Sequence, residues 1–108
     1  MITDIAGHPD YVVSTEGEVF RKTPSGLRAL KPEYSTGHAR VRLNGENLYV
    51  GKVVLESFEP TDNPKHRVFH LNGDVDDNRL SNLMWATPSE IQLYSTYTIE
   101  YRVNFLKV

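Results

Sequence analysis

The residues best equipped for chemistry sit in one stretch: His70 comes late in the apolar run "RVFHL", and the oxygen-rich loop "NGDVDDNRLSN" follows directly. An imidazole at the end of a strand can take a proton from water, because histidine is the side chain whose ordinary pKa lies nearest neutrality. Asn72, Asp74, Asp76, Asp77 and, further on, Glu90 offer the oxygen donors that a hard divalent cation requires. The chain has no cysteine, so oxygen and imidazole are the only ligand types available. A calcium-loop reading of Asp74, Asp76 and Asn78 fails: Arg79 stands where the turn glycine is needed, and Trp85 where the bidentate glutamate is needed.

The elements that must position these groups are short. "YVVS" and "EVFRK", separated by "TEG", read as a hairpin, and "LRALKP" as a third strand ended by Pro32. In "HARVRLNGENLYV", Ala39, Val41 and Leu43 alternate with Arg40 and Arg42 around an "NGEN" turn, so both arginines are expected on the face away from the core. Val50, Val53, Val54 and Phe58 change the period to that of a short amphipathic helix, despite Gly51 near its start. "EPTDNPKH" is a proline-broken connection. "RVFHL" and "LMW" then read as strands flanking the loop, and Thr87, Pro88 and Glu90 form a capping-box start to a second helix. Strict alternation from Tyr97 to Phe105 predicts a terminal strand.

Composition bounds what these elements can build. The 108 residues, 39% hydrophobic and 24% charged, suffice for one domain with a modest core. The N-terminal "MITDIAGHPDY" has no basic start followed by an apolar stretch, and no apolar run approaches the roughly 18 to 20 residues of a membrane span. No membrane partner is expected, and a cytoplasmic location is. The net charge of −2 argues against a strong general nucleic-acid binder, yet the charges are segregated. Arg21, Lys22, Arg28, Lys31, Arg40 and Arg42 face Glu33 alone, whereas Glu59, Asp62, Asp74, Asp76 and Asp77 face Lys65 and Arg67. One positive and one negative face follow, with solvated strand surfaces as the plain alternative. His8, His38 and His66 show no partner pattern and are expected on the surface, Trp85 in the core, and Asn78 and Asn82 as loop pins.

Strand, loop, strand and helix, with a histidine late in the first strand, is the order in which a family resemblance becomes specific. "DIAGHPDYVVSTEGEVFR", "LKP", a glycine-led strand through "RVRL", "VGKVVLESFEP", "HLNGD" and "DNRLSNLMWAT" together resemble the phage-type HNH homing endonucleases, whose core follows a small β-rich element of the type named NUMOD4. The resemblance implies an α+β fold: a β element over residues 1–48, a ββα-metal core over 49–95, and here a terminal strand over 96–108. It implies DNA as partner, His70 as general base, Asn82 as the residue that fixes the loop, and one divalent cation, Mg²⁺ or Mn²⁺, that stabilises the leaving oxygen. The position before the histidine, where the family usually has Asp or Asn, is Phe69. The helix position where it usually has Asn or His is Ile91, and the histidine that often opens the preceding helix matches Gly51, next to Lys52.

Phenylalanine and isoleucine carry no donor atoms, so no metal is expected at this site unless replacement ligands such as Asn72 or Glu90 are drawn in. Three readings stay open. The first is a degenerate HNH-like protein that keeps the fold and contacts DNA through Arg28, Lys31, Arg40, Arg42 and Lys52. The second is an active metal-dependent nickase that uses His70. The third is a phage-encoded module, acting in the host cytoplasm, that binds and inhibits a host enzyme. A homodimer paired through the terminal strand is a further expectation.

Overall fold

The computed structural model describes residues 1–34, 37–96 and 106. The first half is antiparallel: β1 (Ile2–Ile5), β2 (His8–Ser14), β3 (Val19–Thr23) and β4 (Gly26–Ala29) form a four-stranded meander, and β5 (Arg40–Leu43) pairs with β6 (Glu46–Tyr49). Helix α1 (Val50–Phe58) follows, then β7 (Arg67–His70), a 3-10 turn (Leu80–Asn82), β8 (Leu83–Ala86) and α2 (Pro88–Tyr94). Among the described residues strand β7 pairs only with β8, from Arg67 opposite Ala86 to His70 opposite Leu83. The architecture is α+β, as the sequence implies. Strand β1 is an addition, since its four residues include exposed polar positions and carry no alternation long enough to read.

The local causes are those the residue pattern predicts. Asn44 and Gly45 both adopt positive φ, 53° and 83°, the conformation a two-residue hairpin turn demands. Val41 and Leu43 are thereby buried while Arg42 stays exposed and Arg40 is half-buried. In α1 the buried set is Val50, Gly51, Val53, Val54 and Leu55, with Lys52 and Glu56 outside. That helix has no side-chain cap; the Val50 N–H instead donates to the Ala39 carbonyl at 2.9 Å, which satisfies one of its orphan amides. α2 carries the full capping box: Thr87 Oγ1 accepts from the Glu90 N–H and Glu90 Oε1 from the Thr87 N–H.

Two apolar clusters result. The larger joins β1, β2, β3, β5, β8 and α1 through residues such as Val13, Leu43, Val54, Leu55 and Leu83, each completely buried and each contributing about 1.5 to 3 kcal/mol. The smaller consists of Phe69, Leu71 and Ala86, with Met84, Ile91, Tyr94 and Leu106 packed against it. Strand β7 separates the two by simple alternation: Val68 belongs with the larger cluster, Phe69 and Leu71 with the smaller. The N-terminal element is tied to the loop after β7, where the Leu80 N–H donates to the Thr15 carbonyl at 2.8 Å. The predicted terminal strand lies almost wholly outside the described residues. Of residues 96–108, Thr96 lies in the turn that ends α2 and Leu106 has helical backbone. Among the described residues no helix is long and apolar enough to cross a membrane.

Candidate functional site

His70 ends β7 on the α1 side, half-buried, with its Nε2 2.8 Å from Asn78 Oδ1. An amide oxygen only accepts, so Nε2 carries the hydrogen and Nδ1 is left as the basic nitrogen of the neutral ring. The contact is possible because α1 presents Gly51 at this point. A Cβ there would lie 2.9 Å from Asn78 Oδ1, 3.2 Å from Val68 Cγ1 and 3.6 Å from His70 Nε2. Gly17, in the β2–β3 turn at φ +86°, meets Asn78 from another direction: a Cβ on it would stand 2.7 Å from the Asn78 carbonyl oxygen. Asn78 is 7% exposed and held between two glycines.

Behind the histidine, side chains fix the loop by bonding its backbone. Asn82 Oδ1 accepts from the Asn72 N–H at 3.0 Å, and its Nδ2 donates to Asn72 Oδ1 at 3.0 Å and to the Asp77 carbonyl at 2.9 Å. Asn72 Nδ2 donates to Asp77 Oδ2, and Arg79 grips both Asp77 oxygens at 2.8 Å. These hydrogen bonds from Arg79, ahead of the opposing effect of burial, hold the Asp77 carboxyl at about 2 rather than 3.8. Asp74 Oδ1 accepts from the Asp76 N–H, so it too serves the loop.

The positions where the resemblance implies metal ligands face the other way. Phe69 is 7% exposed, its ring centroid 5.6 Å from that of Tyr94, and Ile91 packs against the same cluster. Neither side chain has a lone pair, so this donor set does not fit a divalent cation. The two residues considered as replacements are engaged elsewhere. Asn72 Oδ1 accepts from the Asp74 N–H and from Asn82. Glu90 accepts from the Thr87 N–H with Oε1 and from the Tyr94 hydroxyl with Oε2. Its carboxyl is held below the usual range by the Thr87 backbone N–H first, then by the Thr87 and Tyr94 hydroxyls. Among the described residues no three His, Asp or Glu side chains converge as a metal-binding group.

His70 opens instead onto a cavity of about 610 Å³ whose walls include His38, Tyr49, Lys52, His66, Trp85 and Asn78. Sequence reasoning missed most of this wall. His38, expected as a plain surface residue, stands with its ring centroid 6.2 Å from His70 and edge-on to Tyr49 at 5.7 Å. His66 is half-buried, bonded through Nδ1 to Thr61 Oγ1 at 2.6 Å and stacked on Trp85 at 6.2 Å. Trp85 is half-buried rather than fully in the core, and its indole N–H donates to the Glu59 carbonyl at 2.6 Å. These side chains come from β6, β8 and connecting segments, and no local spacing could have joined them. His8 is also half-buried, 3.7 Å from Glu46.

The expected basic residues are spread over several elements. Lys52 lines the cavity with His70 and pairs with Glu56 at 3.8 Å. Arg40 lies 3.2 Å from Glu33, which is also its backbone bridge partner. Arg42 is exposed on β5. Arg28 sits on the exposed β4 directly opposite Arg21, a like-charge pair that costs stability, and Lys31 follows it, exposed.

Comparisons with known proteins bear on the fold and on the segment that carries His70. Residues 42–93, from β5 into α2, match the family described as HNH endonuclease. The whole chain aligns with 60% of a solved structure described as DNA binding and cleavage by the HNH homing endonuclease I-HmuI, at 27% sequence identity and a TM-score of 0.73. It therefore spans 60% of that protein's length. No curated protein matches. Around His70, its loop and α2, the chain carries an HNH endonuclease-like domain.

Proposed function

We propose that this protein keeps the HNH fold as a DNA-binding module and cleaves DNA with a divalent cation poorly or not at all. The observation that carries the reading is the packing of Phe69 and Ile91 into one apolar cluster where the family resemblance implies oxygen ligands. DNA as partner is supported by the similarity to a DNA-cleaving homing endonuclease, and Arg28, Lys31, Arg40, Arg42 and Lys52 are assigned to phosphate contact. His70 would then accept a proton at Nδ1, and donate to a phosphate oxygen only once protonated there, without the charge stabilisation that an ion supplies. Phage origin and residence in a host cytoplasm follow from the resemblance alone.

A second reading, a working nickase, has one observation in its favour: His70 is positioned as a base would be, by Asn78. Inhibition of a host enzyme through the acidic loop has no comparable observation: Asp77 spends both oxygens within the loop and Asp74 one of them. The test is duplex DNA binding in the presence of EDTA. Binding that persists without metal and weakens steeply with salt supports the module; no binding at low salt overturns it.

A further inference from the structure

We propose that the cavity beside His70 receives one unpaired nucleotide of a DNA strand, its base lying against the aromatic rings of the wall. This deepens the DNA-binding reading and rests on it for the identity of the polymer. Tyr49 is half exposed, lines the cavity and meets the ring of His38 edge-to-face, so aromatic surface is accessible there. Trp85 and His66 form a second, stacked wall. Aromatic faces of this kind hold bases without regard to sequence. The volume of about 610 Å³ falls within the about 300 to 1,000 Å³ typical of small-molecule sites.

Polar groups stand where a nucleotide would need them. Asp62 and Asn63 on the wall offer an acceptor and an amide to a base edge. Lys52 lines the same cavity as His70 and suits the phosphate that stays outside with the backbone. Among the described residues Lys52 is held by an exposed ion pair to Glu56 at 3.8 Å, which binds it weakly and leaves it available to an anion. A stacked base pair has no edge that enters a cavity, whereas an extrahelical base does. The ligand class that fits is therefore an unpaired nucleotide rather than intact duplex.

Trp85 is the single tryptophan of the chain, so its fluorescence reports occupancy. The experiment compares the intact protein on a fully paired duplex and on the same duplex carrying a one-nucleotide bulge. One stacking contact is worth about 5- to 150-fold in affinity, so the bulged duplex is expected to bind at least fivefold tighter and to quench Trp85 where the paired duplex does not. Tyr49→Ala is expected to reduce the preference below twofold, and Tyr49→Phe, which keeps the ring, to retain it. Equal affinity for both duplexes overturns the pocket while leaving the DNA-binding reading intact. A preference that survives Tyr49→Ala, or one without a Trp85 response, also overturns it. Failure to bind either duplex removes both.

Discussion

Asn78 Oδ1 accepts from His70 Nε2 across 2.8 Å, and the absence of a side chain on Gly51 leaves the room for it. The helix, the loop and the strand are thus registered on one hydrogen bond. The β2–β3 turn adds a fourth contact through Gly17.

Gly51→Ala tests that registration. Alanine raises helix propensity by about 1 kcal/mol. Against this, its Cβ would stand 2.9 Å from a buried, bonded oxygen, and overpacking costs about 1 to 3 kcal/mol. Urea denaturation is expected to show a net loss of stability, with the His70 ring resonances shifted in NMR spectra. Gly17→Ala should lose more, because it adds a positive-φ penalty to a backbone clash at 2.7 Å. A stabilised Gly51→Ala protein with unchanged His70 resonances would count against the packing described.

The Asp77–Arg79 pair predicts an acid limb of stability. The Asp77 pKa is lowered from 3.8 to about 2 in the folded protein, so its contribution is fully present above about pH 4 and disappears as pH falls through about 2. The contribution is about 1 to 2 kcal/mol after allowance for the half-exposed Arg79. Asp77→Asn should therefore be less stable than wild type at pH 6, and the gap should close between pH 4 and 2. A gap that stays constant over that window would remove the ion pair as its cause.

Phosphate contact is expected to differ between the two β5 arginines. Arg42 is exposed, whereas Arg40 is held by Glu33 at 3.2 Å. Arg42→Ala should flatten the log–log salt dependence of duplex binding by about one unit, and Arg40→Ala by less. Equal slopes in wild type and Arg42→Ala would move the DNA surface off β5.

What the sequence made legible was whatever lies within one element. Asn44-Gly45 sets its own turn, Thr87 and Glu90 their own cap, and Val50, Val53 and Val54 their own helical face. The family resemblance added His70, Asn82 and the two apolar substitutions. The cavity wall stayed hidden, because His38, Tyr49, His66 and Trp85 meet only after β6, β7, β8 and the segments beside them have packed. Asn78 likewise reads as one more loop asparagine until the fold brings it, eight positions on, against His70. Asn72 and Glu90 show the complementary limit of a local reading. Nearness in sequence made them look like ligands, and the loop and the helix cap had already claimed their oxygens.

Nicking of supercoiled plasmid in Mg²⁺ or Mn²⁺, with wild type and His70→Ala side by side, decides whether Phe69 and Ile91 leave His70 without a metal partner. A general base alone contributes about 10² to 10⁴-fold, which leaves phosphodiester hydrolysis far too slow to see without an ion. The two proteins are expected to leave the plasmid equally intact with either metal. Nicking by wild type that requires Mg²⁺ and vanishes in His70→Ala would contradict this expectation and establish the working nickase.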